Sequence, residues 1–132
     1  MRTIPPNVKY RITAGAGSSS KVADKAMGKI PAQRRGRMNK TEAAYALWLD
    51  AGKDFFWMFE AIKLKLADKT YFTPDFVLFF NDKHIEFHEI KGFERDDAIV
   101  KFKCAAEKFH RFRFKMVKRI KGEWIVTRDS WA

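Results

Sequence analysis

Residues 73–92 read TPDFVLFFNDKHIEFHEIKG, and this segment carries the clearest secondary-structure signal in the chain. Five consecutive apolar residues at 76–80 predict a strand that is covered on both faces. Asn, Asp and Lys at 81–83 predict a tight turn, so residues 84–91 should return as an antiparallel strand. Gly92 is expected to end that strand. The sequence therefore predicts a buried β-hairpin.

Helical and strand signals flank this hairpin on both sides. Asn39 and Glu42 have the spacing of a capping box, which predicts a helix through Leu49 with Tyr45 and Trp48 on the same side as Leu49. From residue 56 to 67 the pattern changes to period two, which predicts a half-buried strand with Ile62, Leu64 and Leu66 on one face.

Beyond the hairpin, Asp96 or Asp97 can cap a second helix that runs to about His110. Residues 112–120 and 124–127 then predict two further strands. The order of elements predicts an α/β fold whose mixed sheet of four to five strands is flanked by helices. The strand after the second helix should return by a crossover.

Charge is concentrated at the N-terminal end of the chain. Of the total charge of +11, residues 1–38 carry nine basic residues and one acidic residue, a net +8. Their Gly- and Ser-rich composition predicts a basic flexible arm, followed by a single folded domain at 39–132. Such an excess attracts a polyanion because counterions condensed on phosphates are released. The basic residues expected to contact nucleic acid are Arg34, Arg35, Arg37, Lys40 and Lys101, although Lys101 could instead belong to a solvated helix face.

The composition also limits the class of protein. One cysteine, Cys104, excludes an internal disulfide and a cysteine-based zinc cluster, which suits a reducing cytoplasm. No apolar run approaches the roughly 18 to 20 residues that span a bilayer. The N-terminus also lacks the apolar stretch of a secretory signal. We expect a soluble cytoplasmic protein with no membrane partner.

The chemistry is expected at Asp75, Glu89 and Lys91. Residues i and i+2 of a strand point to the same face, roughly 6.5 Å apart, so Glu89 and Lys91 project together. Asp75 starts the paired strand at the same end. Two carboxylates and an ammonium group should therefore converge, which suits a Mg²⁺ ion against a phosphodiester. The alternative is structural: Asp75 would cap a turn, and Glu89 with Lys91 would form a surface ion pair.

Three other side chains have two possible roles each. Glu42 completes the capping box, and it could also bond a metal-bound water from the first helix. His84 and His88 lie on the face opposite Glu89, roughly 13 Å apart, which argues against a shared metal and favours surface or packing roles.

Taken in order, these residues resemble the PD-(D/E)xK nuclease superfamily. The resemblance covers roughly residues 39–120 and rests on Glu42, Pro74-Asp75-Phe76 and Glu89-Ile90-Lys91-Gly92. Residues 70–76 and 89–93 are similar to the small phage-encoded Holliday-junction resolvases of the endonuclease I type. The chain also resembles a family of small phage proteins of uncharacterised function.

The resemblance implies a restriction-endonuclease-like αβββαβ core and a Mg²⁺-dependent endonuclease, for which Mn²⁺ can substitute. It implies that Glu42, Asp75, Glu89 and Lys91 are catalytic, and that the metal is held by Asp75, Glu89 and the backbone carbonyl of Ile90. It further implies a homodimer that cuts branched DNA in phage recombination or replication, in the host cytoplasm. Two alternatives stay open: a nuclease for single-stranded or linear duplex DNA, and a non-catalytic nucleic-acid-binding protein.

Overall fold

The structure, a computed structural model, describes residues 10–11, 38–91 and 96–132. The chain divides into two compact units, Thr13–Phe55 in one and Met1–Ile12 with Phe56–Ala132 in the other. The predicted basic cluster at 34–37 and the strand-ending Gly92 lie outside the described residues. The predicted boundary between arm and domain near residue 39 stays a prediction.

In the smaller unit, helix α1 spans Lys40–Asp50 and begins as the sequence predicts. The Asn39 side chain accepts a hydrogen bond from the Glu42 N–H at 2.8 Å, and the Glu42 carboxylate accepts one from the Asn39 N–H at 2.9 Å. This reciprocal pair satisfies two N–H groups that the first turn cannot bond internally. Tyr45 and Leu49 are fully buried, whereas Trp48 is half-buried and stacks on Tyr45.

In the described part of the chain, eight strands form two sheets. The main sheet has the order β1-β8-β7-β6-β5-β2, and β3 pairs with β4 in a separate two-stranded sheet. The strands are β1 (Tyr10–Arg11), β2 (Phe55–Phe59), β3 (Leu64–Ala67), β4 (Thr70–Phe72), β5 (Phe76–Phe80), β6 (Ile85–Lys91), β7 (Arg113–Ile120) and β8 (Glu123–Asp129). The five longer strands of the main sheet agree with the predicted four to five, and the two-residue β1 lies inside the predicted arm.

The predicted hairpin is confirmed. Strands β5 and β6 pair antiparallel with Phe76 opposite His88, and the Phe80 N–H donates to the His84 carbonyl across the turn. Phe76, Val77 and Leu78 are at most 2 % exposed, which fits a strand covered on both faces. The hairpin is thus the interior of the main sheet.

The predicted crossover is also confirmed. Helix α2 (Asp96–Lys108) connects β6 to β7, and these two strands are parallel, whereas β5–β6 and β7–β8 are antiparallel. Phe102 and Ala105 of α2 are buried in a core that also contains Leu64, Phe72, Val77, Phe87, Phe114 and Met116. Ala106 and Phe109 pack against the same core, and Cys104 is exposed.

The segment from 56 to 67 is two strands, not one half-buried strand. Glu60, which has φ = 46°, and the irregular residues after it separate β2 from β3, and the two strands belong to different sheets. A non-glycine residue with a left-handed backbone interrupts an extended strand because its φ has the wrong sign. The expected apolar face is retained, since Leu64 is buried and Ile62 and Leu66 pack against the core.

Neither described helix could cross a membrane. The helices α1 and α2 contain 11 and 13 residues, and a transmembrane helix needs about 20 apolar residues.

Replacing Asn39 by Ala should lower the free energy of unfolding by about 1 kcal/mol, because the Glu42 N–H loses its acceptor. Chemical denaturation followed by circular dichroism measures the change. Asn39→Ser, which retains a capping oxygen, is the matched control and should lose less than half as much. An unchanged midpoint for Asn39→Ala would show that the box does not stabilise the fold.

Candidate active site

Asp75, Glu89 and Lys91 lie together at one end of the β5–β6 pair. Asp75 directly precedes β5, so continuing the register from Phe76 and His88 places it opposite Glu89. The Asp75 N–H donates to Glu89 Oε1 at 3.0 Å. The structure brings the three side chains together as the strand spacing predicts.

The carboxylates are held in place by backbone donors. Ile90 N–H donates to Asp75 Oδ2 at 2.8 Å, while the second oxygen of Glu89, Oε2, lies 3.1 Å from Lys91 Nζ. Asp75 and Glu89 are only 9 % and 6 % exposed, and the Lys91 side chain is 27 % exposed. The lysine is therefore the most accessible member of the cluster.

The carbonyl of Ile90 faces the same side as its N–H, because both polar groups of one strand residue point toward the same neighbouring strand. Since the Ile90 N–H reaches Asp75, the Ile90 carbonyl also points toward β5. The residue across from Ile90 in a continued register is Pro74, and a proline has no N–H to donate. Pro74 therefore cannot supply the ladder hydrogen bond that would close on this oxygen.

These oxygens fit a hard divalent cation. Mg²⁺ prefers oxygen ligands, is commonly held by one or two carboxylates, and keeps several waters. Asp75, Glu89 and the Ile90 carbonyl supply two carboxylates and one neutral oxygen, and two adjacent carboxylates repel each other until a cation neutralises them. In the described part of the chain no group of three or more His, Cys, Asp or Glu side chains is arranged to hold a metal. Any ion here would depend on two acids, the carbonyl and water.

The other predicted site residues lie on the two helices or outside the described residues. Glu42 is buried and completes the helix cap, and its catalytic role stays a prediction. Lys40 is exposed at the first position of α1, and Lys101 is exposed on α2. The predicted contacts at Arg34, Arg35 and Arg37 lie outside the described residues.

The opposite face of β6 carries a buried network of charged side chains. Glu86 is 3 % exposed, and its two oxygens accept from His88 Nε2 at 2.9 Å and face His84 Nε2 at 2.8 Å. Lys115 Nζ lies 3.1 Å from the same carboxylate. His84 and His88 therefore both contact the Glu86 carboxylate. Of the surface and packing roles expected for these histidines, His88 has the packing role, since it is 3 % exposed.

The network ties three strands together. Arg113 on β7 donates through Nε to Asp129 Oδ1 at 2.9 Å and also contacts the second oxygen of that β8 carboxylate. Arg113 lies opposite Glu86 in the parallel β6–β7 register, as Lys115 lies opposite His88. A signal for part of this network was present in the sequence, since residues 84, 86 and 88 must share one strand face. The pairing with β7 was not visible without the fold.

Burial and neighbouring charge shift two pKa values in this network. Burial alone would raise the pKa of Glu86, but the hydrogen bond and charge of His88, with Lys115 and His84, outweigh it and hold the pKa well below the ordinary 4.5. Burial lowers the pKa of His88 below its ordinary 6.5, although the Glu86 carboxylate acts in the opposite direction. The folded state thus favours a neutral His88 beside an ionised Glu86.

The lowered pKa of His88 predicts that stability falls in mild acid. Above pH 6.5 the group is neutral in both states, and below it the unfolded chain binds a proton that the folded chain resists. We expect the free energy of unfolding to fall between pH 7.5 and pH 5 by at most about 2 kcal/mol, the contribution of one proton between pH 6.5 and pH 5, with Glu86 adding to the loss below pH 4.5. Denaturant titrations across this range measure it.

The matched variants for this prediction are His88→Gln and His110→Gln. Gln retains an N–H for Glu86 without titrating. The free energy of unfolding should therefore depend less steeply on pH between 7.5 and 5, by an amount that corresponds to at most one proton. His110 has an exposed side chain outside this network, so His110→Gln controls for the loss of an imidazole. Equal slopes for the wild type and His88→Gln would contradict the assignment.

Comparison with known proteins identifies no relative of this chain. No protein-family model, no curated protein and no solved structure matches it. The resemblance to PD-(D/E)xK nucleases stays an expectation from the sequence, and the description of the site depends on the chain's own residues.

Proposed function

We propose that this chain is a divalent-metal-dependent endonuclease that hydrolyses phosphodiester bonds in DNA, with branched DNA as its substrate. The observation that carries the proposal is the pair of buried carboxylates, Asp75 and Glu89, held by backbone N–H groups beside the Lys91 amine. The chain around them has a net charge of +11. A protein that only binds a polyanion gains nothing from two acids next to the phosphate, because they repel it.

The residues divide the chemistry among themselves. Asp75, Glu89 and the Ile90 carbonyl would hold Mg²⁺, with Mn²⁺ as a substitute. When bound, such an ion lowers the pKa of a coordinated water and draws charge from the phosphoryl oxygens. Lys91 is the accessible cation of the cluster, and it orients the attacking water or stabilises charge on the phosphate. Glu89 holds Lys91 in place through the 3.1 Å contact.

The choice of branched DNA depends on the resemblance to endonuclease I-type resolvases. A homodimer would place two such sites on opposite strands of a junction, which paired cutting requires. The same chemistry on single-stranded or linear duplex DNA is the nearest alternative. Comparing these substrates is therefore part of the test.

A second candidate is a non-catalytic nucleic-acid-binding protein. The Lys91–Glu89 ion pair and the backbone donors to both carboxylates could also serve as a purely structural cluster at the end of a strand. Such a protein would bind DNA through its basic residues with no need of metal. Metal-dependent cleavage separates the two functions.

The decisive experiment offers purified protein with Mg²⁺ a four-way junction, a matched linear duplex and single strands. We expect cleavage by the wild type, no detectable product from Asp75→Asn, and at least about a 100-fold lower rate for Lys91→Met. Asp68→Asn, the same substitution at an exposed turn, is the control and should cleave like the wild type. Thermal unfolding of each variant shows whether it folds.

The outcomes are separable. Products from Asp75→Asn at the wild-type rate would end the catalytic assignment. Paired cuts at the junction would select the resolvase, and faster cutting of linear or single-stranded DNA would select the alternative nuclease. Tight DNA binding without cleavage under Mg²⁺ or Mn²⁺ would leave the non-catalytic protein.

Glu42 can be tested independently of its cap. Glu42→Gln retains an oxygen that accepts from the Asn39 N–H but removes the charge, so the cleavage rate should fall about 10- to 100-fold with little change in stability. Asn39→Ala should do the reverse and lower stability while the rate is kept. Cleavage at the wild-type rate by Glu42→Gln would assign this residue to helix capping alone.

A further inference from the structure

Lys118 lies beside the candidate active site, although nothing in the sequence pattern distinguishes it. In the unbroken parallel register between β6 and β7, Glu89 lies opposite Met116 and Lys91 lies opposite Lys118. Paired residues of adjacent strands share one face, and the strands are about 4.8 Å apart. The Lys118 side chain therefore projects on the face that carries Glu89 and Lys91.

The position of Lys118 marks the end of the apolar core on this face. The two preceding residues of β7 on this face, Met116 and Phe114, are both fully buried, and Phe114 lies opposite Phe87. Lys118 is half-buried, and its partner on the other side, in β8, is Ile125. On this face β6 thus changes from apolar to charged side chains at Glu89, and β7 does so one pair later, at Lys118.

Two lysines directly opposite each other are unfavourable unless an anion lies nearby, because like charges in cross-strand pairs repel. Lys91 has the Glu89 carboxylate at 3.1 Å, whereas the strand partners of Lys118 are a lysine and an isoleucine. At this end of the sheet, acidic and basic side chains are therefore separated. The acids Asp75 and Glu89 lie on the β5–β6 side, and the cations Lys91 and Lys118 lie on the β6–β7 side. A phosphate bound beside Lys118 would relieve the repulsion.

We propose that Lys118 binds the phosphate next to the one that is cleaved, so that the substrate strand crosses the sheet from the end of β6 to the end of β7. This proposal rests on the proposed nuclease function and defines a subsite within it. Lys118 is a substrate-binding residue and takes no part in bond cleavage. A single ammonium contact to a phosphate positions the strand without reading its sequence.

The first test measures DNA binding by Lys118→Gln, with Ca²⁺ in place of Mg²⁺ to suppress cleavage. At about 0.1 M salt we expect roughly 3- to 10-fold weaker binding to a four-way junction and to linear duplex alike. The dependence of log K on log salt should also lose about 0.9 of its slope, the contribution of one phosphate contact.

Arg119→Gln is the matched control. Arg119 is the next residue of β7, lies on the opposite face, is exposed, and has its guanidinium over the Trp124 ring at 4.9 Å. Its replacement removes the same charge and should leave the slope unchanged. Equal slopes for Lys118→Gln and the wild type would overturn the proposal.

A second test locates the phosphate. Neutral methylphosphonates are placed one at a time along the substrate strand, and binding is measured for the wild type and for Lys118→Gln. We expect one position, adjacent to the cleaved bond, at which the neutral group weakens the wild type but not the variant, because the contact is already lost. If the effects of the methylphosphonate and of Lys118→Gln on binding were additive at every position, the subsite proposal would be overturned.

Failure of this subsite differs from failure of the proposed function. Because binding is measured without cleavage, a protein that binds through Lys118 but cuts nothing keeps the phosphate contact and loses the nuclease assignment. If the protein cuts DNA and Asp75→Asn abolishes cleavage, but Lys118→Gln is additive with every methylphosphonate, the nuclease assignment is kept and the subsite is lost. A chain that does not bind DNA loses both.

Discussion

The candidate site depends on one exchange of hydrogen bonds between Asp75 and strand β6. The Asp75 carboxylate accepts from the Ile90 N–H, and the Asp75 N–H donates to the Glu89 carboxylate. Strand β6 thereby orients the Asp75 carboxylate, and the backbone directly before β5 orients the Glu89 carboxylate. Buried ionised carboxylates are costly unless such donors compensate the lost hydration. The same two hydrogen bonds that stabilise the strand end therefore also bring the oxygens together.

Strand β6 carries charge on both faces, which few central strands do. Glu89 and Lys91 project on one face, and Glu86 with His88 is buried on the other. Removing one partner of a buried charge pair is strongly destabilising, because an uncompensated charge stays in the interior. The Glu86 network with Lys115 on β7 therefore favours a single register between β6 and β7. That register also places Lys118 next to Lys91, so the two faces are coupled through strand pairing.

Much of this arrangement could be predicted because it is local in the chain. The capping box at Asn39 and Glu42, the hairpin after Asp75, the alternation in β6 and the crossover through α2 each follow from spacing and turn chemistry. The division of residues 56–67 between two sheets could not be predicted, because the left-handed backbone at Glu60 is unusual for a glutamate.

The sequence by itself determined that Asp75, Glu89 and Lys91 meet. A tight turn joins their strands, and period two sets which side chains share a face. Only the tertiary structure decided what lies beside them. Lys118, Lys115 and Arg113 belong to β7, whose parallel pairing with β6 is set by the packing of α2 over the core and not by a turn. A crossover connection leaves register free in the sequence, whereas a hairpin fixes it.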